Sequence, residues 1–105
     1  MMSMTRCPTH PGEILREDAL PEIGLSVAAF ARALGVSRQM VHGILAERSS
    51  VSPEMAVRLG AFFGNGPQLW IDMQTRRDLW LAEKRMAGHL PPPHTAMRNS
   101  GQTTV

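Results

Sequence analysis

Three neighbouring side chains, Arg38, Gln39 and His42, hold the most specific chemistry in the sequence. An arginine guanidinium can donate two parallel hydrogen bonds to O6 and N7 of guanine, and a glutamine amide can pair in the same way with N6 and N7 of adenine. His42 follows about one helical turn later, within reach of a further base or a phosphate. Met40 can touch a thymine methyl. Ser37 offers a hydroxyl, and with it a helix N-terminus, to phosphate. Ser26, Arg48 and Ser49 flank this set as candidate contacts to the DNA backbone.

Such side chains read a groove only if a scaffold aims them. On a helix, burying Val41 and Ile44 leaves Arg38, Gln39 and His42 on the outer side. The preceding residues supply the support. Ser26 is a good N-cap for a helix over Val27 to Leu34, with Val27, Phe30, Ala31 and Leu34 in an apolar stripe. Gly35 stops it, Val36 plugs the angle, and Ser37 caps a third helix from Arg38 to about Ala46, with Leu45 on its inward side. Two short helices joined through glycine form a helix-turn-helix, in which small Ala31 permits close approach. Helical bundles that never meet DNA use the same joint, so a protein-binding helical module stands beside the DNA-binding reading.

The flanking elements follow from punctuation. Pro11 to Leu20 is predicted as a first helix with Ile14, Leu15 and Ala19 facing inward, ended by Pro21 and Gly24. Ser49-Ser50-Val51 is predicted as a polar link. Ser52-Pro53-Glu54 opens a fourth helix with Met55, Ala56, Leu59, Phe62 and Phe63 buried, and Gly64 closes it. Pro67 opens a fifth helix to about Ala87. No alternating Val/Ile/Thr run reads as a strand, so the expected fold is all-α, a compact five-helix bundle. The expected organisation is a flexible N-terminus over 1–9, a helix-turn-helix domain over 10–87 that includes a C-terminal dimerisation helix, and a disordered tail over 88–105.

Composition sets limits. The 105 residues have room for one domain, and their net charge of +2 does not by itself demand a nucleic-acid partner. With Val27 rather than a polar residue opening the second helix, a monomer is expected to bind weakly and a dimer to be needed. No apolar run approaches the roughly 20 residues of a membrane span, no secretory signal opens the chain, and Cys7 is the only cysteine. A cytoplasmic protein without a membrane partner is expected. Cys7 and His10 have a ligand-like spacing, but with His42, His89 and His94 they are spread over the chain start, the third helix and the tail, where the four converging ligands of a structural zinc site are not expected. Glu13, Glu17 and Asp18 are acids expected early in a helix, and no nucleophile set or phosphate loop accompanies them. No metal, cofactor or catalytic residue is therefore expected.

Beyond these readings, the chain resembles the HigA-type, or VapI-type, antitoxins within the Xre/Cro helix-turn-helix repressors. The resemblance rests on His10-Pro11-Gly12-Glu13-Ile14-Leu15-Arg16-Glu17, on Ala31-Arg32-Ala33-Leu34-Gly35-Val36-Ser37-Arg38-Gln39, and on Phe62-Phe63-Gly64. It continues through Trp70-Ile71-Asp72-Met73-Gln74 and Asp78-Leu79-Trp80-Leu81-Ala82. The resemblance implies a lambda-repressor-like bundle that binds double-stranded operator DNA, represses its own operon and blocks a RelE-like toxin that cleaves messenger RNA. Family members often have glutamine where Val27 stands and an aromatic where Arg77 stands. A stand-alone Xre-type repressor without a toxin partner is the alternative.

The fifth helix has apolar surface beyond what a four-helix core requires. One reading has this helix simply cover the core; the other makes Leu69, Trp70, Met73, Arg77, Trp80 and Leu81 the homodimer interface, with the two tryptophans as anchors. The dimer should place two recognition helices about 34–36 Å apart, one turn of duplex. The toxin surface is expected on either the first helix with the N-terminal segment or the outer face of the fifth helix.

Overall fold

The computed structural model describes residues 6–94. Among them the regular structure is entirely helical: α1 (Pro11–Ile14), a π-helical turn (Leu15–Ala19), α2 (Leu20–Ile23), α3 (Val27–Leu34), α4 (Arg38–Leu45), α5 (Pro53–Phe63) and α6 (Pro67–Met86). The first three pieces follow without a break, because Ile14, Leu15, Ala19 and Leu20 at their joins all have right-handed helical backbone angles. The bundle thus has five helical rods, as expected.

Pro21 does not end the first rod, contrary to expectation. Proline inside a helix clashes with the carbonyl four residues back and cannot donate to it. Here the turn before it is widened, with the Leu20 amide bonding to Leu15, five residues back. The π turn absorbs the proline, and the helix runs on to Ile23 before Gly24 (φ 70°) closes it.

The other boundaries follow from local chemistry. Ser26, Ser37 and Ser52 each take the amide proton three residues on, from Ala29, Met40 and Met55, all at 3.1 Å. Each thereby satisfies one orphan donor of its helix, a cap that stabilises by about 1 kcal/mol. The α3 terminus is held from outside as well: Arg58 of α5 donates through Nη1 to the Leu34 carbonyl at 2.7 Å.

Leu15, Leu20, Phe30, Ala31, Leu34, Val41, Ile44, Val51, Met55, Ala56, Leu59 and Trp70 form one continuous core. Val51 lies within it, so the link between α4 and α5 is not wholly polar as predicted. Its amide donates to Oε1 of buried Gln74 at 2.8 Å, and Gln74 Nε2 donates to Asp78 at 3.0 Å. Unpaired, such an amide would cost about 1–3 kcal/mol. Phe62 also departs from expectation: it sits at the rim, 36% exposed. It still meets Phe30 edge-on with centroids 5.4 Å apart and Phe63 at 4.9 Å, which ties α3 to α5. Among the described residues, no helix is long and apolar enough to cross a membrane. The expected tail over 88–105 falls partly outside the described residues, as do positions 1–5 of the expected flexible start.

Candidate nucleic-acid interface

Val41 and Ile44 are each 2% exposed, so one side of α4 is committed to the core. On the other side Arg38, Gln39, Met40 and His42 are all exposed, and Arg38, Gln39 and His42 line one shallow hollow. Ser37 spends a lone pair on Met40, while the Arg38 and Gln39 amides at the start of the helix have no intrahelical acceptor and remain open to an anion. Ser26 is exposed at the start of α3, and neighbouring Val27 packs against the core. Arg48 and Ser49 are exposed just beyond α4. Every base- or phosphate-contacting residue expected from the sequence is therefore on the surface of the helix-turn-helix or its flanking loop.

Three residues that shape the end of α4 and its packing carried no functional reading in the sequence. Gly12 lets the start of α1 lie directly on the end of α4, since a Cβ there would sit 1.8 Å from the Ile44 carbonyl oxygen. Gly43 lets the loop fold back, since a Cβ would meet Ser49 Oγ at 2.5 Å. Both are isolated glycines in helical pattern, the one signal that could have marked them. Glu47 is the third. It is the single non-glycine residue with positive φ (62°) among the described residues, a conformation that costs an L-residue about 1–2 kcal/mol.

His10 ties the N-terminal segment to the same loop. Its Nδ1 accepts from the Gly12 amide at 2.8 Å, and its ring also hydrogen-bonds to the Ser49 backbone. Burial, and then the Arg77 charge, hold its pKa below the ordinary 6.5, against the opposing pull of Glu47, the Ser49 backbone and Asp78. A ring neutral in the fold but protonated in the unfolded chain makes stability fall with acid. The stabilisation is complete above 6.5 and is lost as pH falls from there toward the lower folded value. Urea midpoints measured from about pH 7.5 to 5.5 should decline for the natural protein. His10→Asn keeps a capping oxygen and should flatten that decline.

The expected partner helix divides into two kinds of residue. Trp70 is not available as an anchor: it is 3% exposed, its ring tilted against Phe63 with centroids 5.5 Å apart, with Nε1 donating to Asn65 at 2.9 Å. Its register turns it toward α5, so it belongs to its own core. Arg77 is engaged within the chain, donating to the Pro8 carbonyl at 2.9 Å and approaching Glu47 at 3.8 Å. Met73 packs partly against the core, and Trp80 and Leu81 are half-buried, with Lys84 Nζ 5.1 Å from the Trp80 ring. Leu69 is exposed, and so are Leu79 and Met86, seven residues apart on one side of α6. Among the described residues no three His, Cys, Asp or Glu side chains gather as a metal site.

Known proteins share this fold. The family model described as Helix-turn-helix matches residues 15–70. Virulence-associated protein I of Dichelobacter nodosus is 42% identical over 92 residues, which span 86% of this chain and 85% of that protein. Antitoxin GraA, solved in complex with its operator, superimposes with a TM-score of 0.77 at 41% identity and covers 90% of this chain and 99% of its own. Pseudomonas aeruginosa antitoxin HigA, solved with the higBA promoter, has a TM-score of 0.74 at 40% identity and covers 83% of this chain and 99% of its own. With identity at that level over nearly the whole of the relatives, on one shared fold, this chain belongs to the HigA-type (VapI-type) antitoxins of the Xre/Cro helix-turn-helix family.

Proposed function

We propose that this chain is a cytoplasmic, homodimeric autorepressor that binds double-stranded operator DNA through α4, and an antitoxin that neutralises a RelE-like mRNA-cleaving toxin. The observation that supports it most is the division of α4 into a buried side, Val41 and Ile44, and an exposed side with Arg38, Gln39 and His42. GraA and HigA, similar over most of their length, are antitoxins solved with an operator and a promoter. Arg38 and Gln39 are assigned to base edges, Met40 to a thymine methyl, and His42 to a base or phosphate. Ser26, Ser37, Arg48 and Ser49 are assigned to phosphates, which fix register and orientation.

Dimerisation is assigned to α6, through Leu69, Met73, Trp80 and Leu81, with exposed Leu79 and Met86 widening the apolar area. Co-expression with the adjacent reading frame tests the antitoxin role. That frame alone should arrest growth, and this chain should restore it and co-purify with its product. A stand-alone repressor would bind DNA upstream of its own gene while neither rescuing growth nor retaining that product.

A further inference from the structure

The end of α4 is closed by a residue that backbone geometry alone would not select. Glu47, with φ 62°, donates its amide to the Ile44 carbonyl at 2.9 Å, and Arg48 donates to Gly43 at 2.9 Å. This paired closure is the one glycine ordinarily completes. The glutamate side chain reaches back across the molecule. One carboxylate oxygen accepts from Arg16 Nη1 at 3.2 Å and Nη2 at 3.3 Å, and the other lies 3.8 Å from Arg77 of α6. Arg16 also donates to the Leu45 carbonyl at 2.5 Å, and Arg77 to Pro8 at 2.9 Å. The first helical rod and α6 therefore meet at one carboxylate, and Arg77 carries the link on to the N-terminal segment. The next two residues are Arg48 and Ser49.

We propose that the Glu47 carboxylate is a positioning group for DNA binding: through Arg16 and Arg77 it fixes the Arg48–Ser49 loop relative to the exposed side of α4, and so links α6 to the phosphate contacts. The inference rests on the DNA-binding reading above. It opposes two simpler expectations. If only the backbone turn mattered, glycine would serve at least as well. If only charge mattered, removing an acid beside the DNA surface would strengthen binding.

Glu47→Gly separates these, measured on the full chain by equilibrium binding to the duplex upstream of its own gene across a salt series, with thermal unfolding alongside. The variant should melt no lower than the natural protein, yet bind about tenfold more weakly, the weight of one or two phosphate contacts. Its slope of log K against log salt should be shallower by about 0.9–1.8. Arg77→Met, the opposite change of charge, should weaken binding to a similar degree, and the double variant should be no weaker than either single within about twofold. Glu47→Gly binding as tightly as the natural protein, or more tightly, overturns the proposal whatever Arg77→Met does. Losses that simply add in the double variant overturn it too. Failure of the natural protein to bind any segment of that duplex would instead bring down the DNA-binding reading, and this inference with it.

Discussion

Gly12→Ala should cost about 3 kcal/mol or more, a large part of the roughly 5–15 kcal/mol that holds a domain of this size together. The reason is steric. The new methyl would lie 1.8 Å from the Ile44 carbonyl oxygen and 2.8 Å from its carbon. Those are backbone atoms, which cannot turn aside like the end of a side chain. Relief requires α1 to lift from the end of α4, which would pull His10 off the Ser49 backbone and loosen the support behind the exposed side of α4. Gly24→Ala is the matched control. Its φ is 70°, but nothing lies within 4 Å of the added carbon. It should cost only the conformational penalty, about 1–2 kcal/mol. Urea unfolding of the two variants beside the natural protein gives both numbers. Equal losses would mean that the close packing of α1 on α4 is not tight.

Arg38→Ala and Gln39→Ala should have the opposite profile, leaving the fold intact and damaging recognition. Both side chains are exposed, and no core residue leans on them, so stability should change by no more than about 0.5 kcal/mol. Affinity for the operator should fall by about 1–3 kcal/mol for each bidentate pair of hydrogen bonds removed, with base preference relaxed at one position of each half-site. Binding to unrelated duplex should weaken much less, because that depends on the phosphate contacts. Titration of operator and scrambled duplex at one fixed salt concentration separates the two effects. A uniform drop on both duplexes would move Arg38 or Gln39 from base reading to phosphate binding.

Parts of the molecule differ in how openly the sequence displays them. The caps Ser26, Ser37 and Ser52 were legible because their chemistry is local: a short hydroxyl three residues before an amide. The buried and exposed sides of α4 were legible because helical period decides them. Pro21 misled because the remedy for a helix-interior proline lies in the preceding turn, where the residues LREDA carry no signal for a π helix. Trp70 misled because a large aromatic on a terminal helix suits an interface or a core equally, and only its neighbours Phe63 and Asn65 decide. Gln74, Arg58 and Glu47 were illegible for one shared reason. Each acts on a backbone or side chain 23 or more residues distant, on Val51, Leu34 and Arg16 respectively, and no spacing rule reaches that far.

Entry of the exposed side of α4 into the major groove can be checked by methylation interference on the operator. Methylating N7 blocks the guanine edge that an arginine would grip. Each half-site should contain a guanine whose methylation abolishes binding by the natural protein but no longer matters to Arg38→Ala. Identical interference patterns for the two proteins, or no sensitive guanine in the groove at all, would contradict it.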